Sequence, residues 1–196
     1  MRAARTFSAL LCLAAASCGE AGDKAPALTA AQSLEGDQKL IASAQQMSDV
    51  IGGCAKPAEA DATSKVVSLE TGVIVMLACG QGSYSFTNRL FAVRGGEAPQ
   101  LLTLPDYDVT GWFATDQVSM PELDAGTGVL TTFRKGAGDG RCGSEGRYQW
   151  DGIHFALQEL QWRDCKDPTE GGPPFPVIWP VQTPTEVDPN GATPEP

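Results

Sequence analysis

The sequence predicts a mainly β fold: an antiparallel sheet or partly closed barrel, with one N-terminal helix and a Pro-rich C-terminal strap. Three observations lead there. From residue 65 onward, short apolar runs recur between Gly, Pro, Asn and Asp turn signals at roughly even spacing, the pattern of an antiparallel β domain. Upstream of them, one segment carries its apolar residues at helical period. Nine of the 14 prolines follow Cys165, where the strand pattern has ended.

The chain opens "MRAARTFSALLCLAAASC". Arg2 and Arg5 form a positive n-region, and Phe7 to Ala16 is an apolar stretch too short to span a bilayer. Residues 1–17 therefore read as a signal peptide. Ala15, Ala16 and Ser17 are small enough for a peptidase groove, and the cysteine directly after them resembles the lipobox of bacterial lipoproteins. Leu is the favoured residue where Ala15 stands. On this reading Cys18 is the lipidation site, its acyl chains contributing ~0.8 kcal/mol of membrane affinity per buried methylene. Signal cleavage nearby, leaving Cys18 as a bare thiol, is the plainer alternative. The expected location is the cell envelope, on a membrane facing the periplasm, with the lipid as the only membrane attachment.

Residues 18–35, rich in Ala, Gly and polar groups, read as a flexible tether. Residues 36–180 follow as a single disulfide-stapled β domain of ordinary size. Its first element, "DQKLIASAQQMSDV" from Asp37, sets Leu40, Ala44, Met47 and Ile51 on one helical face and stops at Gly52 and Gly53. "KVVSLE" (65–70) and "GVIVMLACG" (72–80) then read as strands. The second is apolar at consecutive positions, as a strand covered on both faces must be. "SYSFTNRLFAVRG" (83–95) alternates through Phe86 and resumes at Phe91 and Val93 on the opposite parity, which a bulge near Asn88 would reconcile. "PQLLTL", "VTGWFA", "GVLTTFRKG" and "GRYQWDGIHFALQELQW" continue the series, with Asp151-Gly152 as a two-residue I′ turn. "PPFPVIWP" (173–180) supplies Phe175, Ile178 and Trp179 to lay an extended strap across the sheet. Residues 181–196, "VQTPTEVDPNGATPEP", have little to bury and read as a disordered tail.

Charge narrows the partners. The chain holds 14 basic and 24 acidic side chains, a formal net charge of −10. Two of the basic ones lie in the leader, so the remainder is more acidic still. Such a protein repels nucleic acid and anionic headgroups. It suits a basic protein or envelope partner, a cation, or simple solubility. Of the six cysteines, Cys12 leaves with the leader and Cys18 goes to lipid. Cys54, Cys79, Cys142 and Cys165 remain, an even number in an exported chain, so two disulfides are expected. Three pairings are possible. Cys54–Cys79 and Cys142–Cys165 are favoured, each closing a loop worth ~3 kcal/mol in the chain-entropy account. No C-x-x-C spacing supports a metal site, and no cofactor is implied.

"FRKGAGDGRCGSEGRYQWDGIHFALQELQWRDC" joins a Gly-rich loop, Cys142, a Trp150-Asp151-Gly152 turn and Cys165. It is similar to the C-terminal part of the bacterial domain-of-unknown-function family 1176, with its "GxGxCG…W-x-W-DG-x-F-x-L…C" pattern. Tyr148 stands where that pattern has its first Trp. "VIVMLACGQGSYSFTNRLFAV" resembles the same family's cysteine and "GAYN"-type segment, through Cys79, Gly82, Ser83 and Tyr84. The resemblance spans roughly residues 50–180. It implies envelope location and a disulfide-bearing β domain, and it supplies no catalytic residues.

Candidate chemistry is sparse. "GDGRCG" (138–143) satisfies G-x-G-x-x-G, but a strand pattern follows it where a dinucleotide site needs a helix. Asp139, Glu145 and Asp151 could offer oxygens to Ca²⁺, without the alternating acids of a calcium loop. His154 is the sole histidine, so a His-dependent hydrolase would centre on it, with Asp151 or Glu145 as its acid. "GQGSYS" is no nucleophile elbow. Tyr84, Tyr148, Trp112, Trp150 and Trp162 are core candidates that could also furnish one exposed aromatic patch. The resulting expectation is a lipid-anchored envelope protein that acts by binding or as an accessory component, and not as an enzyme. Alternatives are an inhibitor of a basic lysozyme-type enzyme, with "GSYS" a distorted echo of the Ser-Gly-Tyr loop of such inhibitors, or the His154 hydrolase.

Overall fold

The computed structural model describes residues 30–54, 64–81, 85–167 and 171–180. The leader, Cys18, Tyr84 and the tail from residue 181 lie outside these residues. Helix α1 (Ala30–Ile51) comes first. Twelve strands follow: β1 (Lys65–Leu69), β2 (Gly72–Gln81), β3 (Phe86–Val93), β4 (Gln100–Leu101), β5 (Leu104–Asp108), β6 (Gly111–Thr115), β7 (Val118–Ser119), β8 (Glu122–Leu123), β9 (Val129–Lys135), β10 (Gly143–Trp150), β11 (Phe155–Arg163) and β12 (Val177–Trp179). All pairings are antiparallel. One sheet runs β1-β2-β3-β4 with β7 also on β3, a second runs β12-β11-β10-β9-β8, and β5-β6 stands as a separate hairpin. The fold is mainly β, and among the described residues no barrel closes. No described helix is long and apolar enough to cross a membrane.

The apolar pattern of β2 explains the layering. Ile74 and Met76 join Leu90 and Ala92 of β3 in a core shared with Leu130, Tyr148, Trp150 and Phe155 of the second sheet. The residues between them, Val75, Leu77, Phe91 and Val93, face the other way and pack under α1. The first sheet is thus sandwiched between helix and second sheet, and its central strands have no polar face. The same double burial removes the parity problem in β3. A register irregularity does occur there, but the extra residue is Cys79 of β2, opposite Asn88 and Thr87, and not a residue of β3.

α1 begins at Ala30, so six residues assigned to the tether, 30–35, belong to the helix. Its buried side carries Leu40, Ile41, Ala44, Met47 and Ser48. Ile51, expected on that side, is exposed at the helix end. Its place is taken by Arg89, which is 3% exposed and donates to the Ser48 carbonyl, the Ser48 hydroxyl and the Gly52 carbonyl. A cation at the open carbonyls of a helix C-terminus is favourable on both hydrogen-bonding and dipole grounds. Asp116 completes the pair at 2.8 Å.

Cys54 bonds to Cys79 and Cys142 to Cys165, with Cα atoms 4.8 and 5.0 Å apart. The first ties the segment just after α1 to β2; the second ties the loop before β10 to the end of β11. Gly143 opens β10 at φ +132°, where an added Cβ would collide with the Arg134 carbonyl oxygen. The strand and not a helix follows this loop, which rules out a Rossmann-type phosphate turn. Between β10 and β11 the expected two-residue turn is instead a four-residue loop, since Trp150 pairs with Phe155. The Asp151 carboxylate accepts from the Ile153 and His154 amides, and this Asx-type turn needs the longer loop. The Pro-rich segment adds β12 to the edge of the second sheet beside β11, with Phe175 buried and Trp179 exposed.

Candidate binding surface

The hairpin β5-β6 lies against β10 and β11 and carries the most distinctive surface of the protein. Its turn is Asp108-Val109-Thr110-Gly111, with Asp108 accepting from both the amide and the hydroxyl of Thr110. Those bonds hold the Asp108 carboxyl below its ordinary range. Side chains alternate along β5 and β6, so Leu104 and Asp106 point inward and are buried. Tyr107 and Trp112, a cross-strand pair, share the opposite face.

Three bonds seat the hairpin. Arg134 of β9 donates to the Asp106 carboxylate at 2.7 Å and to the Tyr107 carbonyl at 2.6 Å, and its guanidinium lies over the Phe113 ring. Tyr148 donates its hydroxyl to the Pro105 carbonyl. Burial, and secondarily the Asp106 carboxylate, pushes the Tyr148 phenol far above its usual pKa, so it stays a donor. Gly146 makes room for this ring, because a Cβ there would sit 2.5 Å from it.

With the hairpin fixed, four aromatic rings gather on its outward side. Tyr107 meets Trp112 edge-on at 5.4 Å and Trp162 at 5.2 Å. Trp112 meets Trp179 of β12 at 6.3 Å with the ring planes at 90°. Trp112 is 50% exposed and Trp179 41%, a large apolar area in water for two side chains in contact. Beside them lies a shallow depression of about 430 Å³, lined by Thr103, Leu104, Pro105, Trp112, Phe113 and Ala114. Trp112 and Trp162 come from the candidate aromatic set. Tyr148 and Trp150 of that set are core residues instead, the latter donating its indole N–H to Thr71. Trp179 and Tyr107 were not expected here. Trp179 reads as a strap anchor in the sequence, but Phe175 does the anchoring.

The other candidates do not converge. His154 sits on the exposed β10-β11 loop, its Nδ1 3.1 Å from the Asp151 carboxylate. Asp151 is kept below the ordinary carboxylate range by the His154 and Ile153 amides. Among the described residues, no hydroxyl or thiol is bonded to His154. Glu145 lies near the far end of β10 from that loop, roughly 20 Å away at the usual strand rise. Its carboxyl is raised by burial and by neighbouring Glu159. Asp139 pairs with Arg141 in the preceding loop. The three carboxylates proposed for Ca²⁺ are therefore spread along the sheet, and no group of three potential ligands gathers among the described residues.

A family model described as "Protein of unknown function (DUF1176)" matches residues 17–185. The chain belongs to this family. The match is wider than the C-terminal motifs, for it takes in α1 and reaches back to the residue before Cys18. No curated protein matches the chain, and no solved structure does. The Cys142 motif of the DUF1176 chain now has a structural meaning: it sets the disulfide, the Gly143 entry to β10 and the Trp150 anchor of the sandwich core.

Proposed function

We propose that this protein acts by binding, through the aromatic face of the β5-β6 hairpin and β12, as an exported envelope component anchored by lipid on Cys18. The observation that carries the binding reading is the Trp112–Trp179 pair: two exposed indoles held at right angles on neighbouring strand elements. Exposed aromatics on a seated framework lose little conformational freedom on binding, which is why such side chains dominate interface energetics. Export and anchoring are supported by the leader pattern and by cysteine use, with four cysteines placed in two structural bridges. Catalysis has no part in this reading. Inhibition of a basic lysozyme-type enzyme is one specific form of it, and lysozyme left fully active by micromolar protein overturns that form.

The anchor and the surface are tested separately. Metabolic labelling with an alkyne fatty acid in the native host should tag the wild type and leave Cys18→Ser untagged; equal labelling removes the anchor. Co-sedimentation and pull-down with fractionated envelope components should find a binder that a Trp112→Ala/Trp179→Ala double variant loses. Retention of every binder by that variant removes the surface.

A further inference from the structure

We propose that the Trp112–Trp179 corner receives the cationic side chains of a basic polypeptide; this rests on reading that face as the binding surface. Indole faces attract ammonium and guanidinium groups more strongly than any other side-chain ring. The protein already uses this contact at the same end of its second sheet. Arg134 lies over Phe113 at 5.5 Å, Lys135 over Phe133 at 5.9 Å, and Arg163 over Phe175 at 5.1 Å. Trp112 and Trp179, the most exposed rings of the cluster, carry no such cation among the described residues. The nearby guanidinium of Arg134 cannot swing over to them, because Asp106 and the Tyr107 carbonyl hold it.

Charge complements the rings. The chain carries −10, so a basic segment is steered toward it and an acidic one repelled. Within the hairpin the charged residues are Asp106, neutralised by Arg134, and Asp108, whose exposed carboxylate is kept ionised by Thr110. Asp108 lies two residues from Asp106 and so shares its face, within the influence of Arg134, and neither acid puts a charge on the Tyr107–Trp112 face. The adjoining depression, with Pro105 and Ala114 in its wall, suits the methylene stems of Arg or Lys. Two perpendicular rings and an apolar trough on an acidic protein match a polypeptide presenting several cationic side chains better than a lone small ammonium ion.

The test titrates the full chain with hexa-arginine peptide, following tryptophan fluorescence, beside hexaglutamate, neutral chitohexaose and a proline-rich peptide. Hexa-arginine should bind with an affinity that falls as salt rises. Trp112→Ala and Trp179→Ala should each weaken it about tenfold, Trp112→Phe less, and Asp108→Asn, on the other face of the hairpin, hardly at all, with circular dichroism unchanged. Hexa-arginine binding that neither tryptophan variant affects would mean diffuse charge attraction and overturn the proposal. Binding of chitohexaose or the proline-rich peptide in a Trp112-dependent manner, with none of hexa-arginine, overturns the cationic ligand and leaves the surface reading intact. Insensitivity of every probe to both tryptophan variants overturns the two together.

Discussion

Helix α1 and hairpin β5-β6 are both elements laid against a sheet, and an arginine pins each. Arg89 rises from β3 to hold the end of α1 with Asp116 as counter-ion; Arg134 rises from β9 to hold the hairpin through Asp106. There the likeness ends. α1 turns Leu40, Ile41, Ala44 and Met47 inward and closes over Val75, Leu77, Phe91 and Val93, with Leu34, Val50 and Ile51 left exposed toward its two ends. The hairpin turns Leu104 and Asp106 inward and leaves Tyr107 and Trp112 on the outside, next to Trp179. α1 has no aromatic residue at all, and its work is the aliphatic seal. The hairpin exposes its rings, so the comparison separates an element that seals the core from one that presents a surface.

If that separation is right, removing core contacts under α1 costs far more than removing rings from the hairpin face. Phe91→Ala, at a site with no exposed surface, should lower stability by about 3–5 kcal/mol. Trp112→Ala should lower it by under about 1 kcal/mol, since half of that ring is already in water. Urea unfolding of the two variants decides this; equal losses would make the hairpin face a core element and end the contrast.

The covalent staples come next in size. Replacing Cys54 and Cys79 by Ala should cost about 3 kcal/mol through the reopened loop, and replacing Cys142 and Cys165 a similar amount. The consequences should differ in place. Loss of the first releases the segment after α1, so hydrogen exchange should accelerate in the helix while tryptophan emission stays put. Loss of the second loosens β10 and β11 beneath the aromatic cluster, and emission should shift. The same spectral response from both variants would show that the two regions are not independent.

The arginine pins can be compared directly. Arg134→Met strands the Asp106 carboxylate, which is only 10% exposed, and should cost about 2–3 kcal/mol. Arg134→Lys keeps a charge but cannot hold Asp106 and the Tyr107 carbonyl together, so it should recover only part of the loss. Full recovery by Lys would reduce the pin to simple charge pairing.

How much of this was legible beforehand follows the range of the interactions. The double burial of β2 is written in its consecutive apolar residues, and α1 in its period, because both patterns are local. The start of α1 was not legible: Ala30, Ala31 and Gln32 favour helix but carry no amphipathic signal to distinguish them from a tether. The hairpin turn carries a weak signal, Asp108 and Gly111 at the ends of a four-residue turn, inside a run that otherwise reads as strand. The aromatic surface could not be read at all. Trp112 and Trp150 sit in similar alternating strands, and only the packing of the hairpin over the second sheet decides that one is exposed and the other buried. Trp179 joins Trp112 across a separation of 67 residues, through strand pairing that no local pattern encodes.

The smallest effect tests the remaining contrast, between the outer faces of the two sheets. The first is sealed by α1; the second presents Glu145, Arg147 and Glu159 on adjacent strands. Burial and the neighbouring Glu159 raise the Glu145 carboxyl above its ordinary value. A carboxyl raised in the folded state binds more protons there than in the unfolded chain. Stability therefore falls as pH rises from the ordinary glutamate value through the raised one. Asp108, Asp124 and Asp151 are lowered by their turn hydrogen bonds and act in the opposite sense, their contribution present above the ordinary aspartate value and lost as pH falls through the lowered one. Glu145→Gln removes one side of this balance. Its stability relative to the wild type should increase as pH rises from about 4 to about 6, by a small amount because the group is only partly shielded from water. Denaturation midpoints of the two proteins at several pH values measure it. A constant difference across that range would mean that Glu145 titrates alike in folded and unfolded chains, and that the outer face of the second sheet is as well solvated as its polar residues suggest.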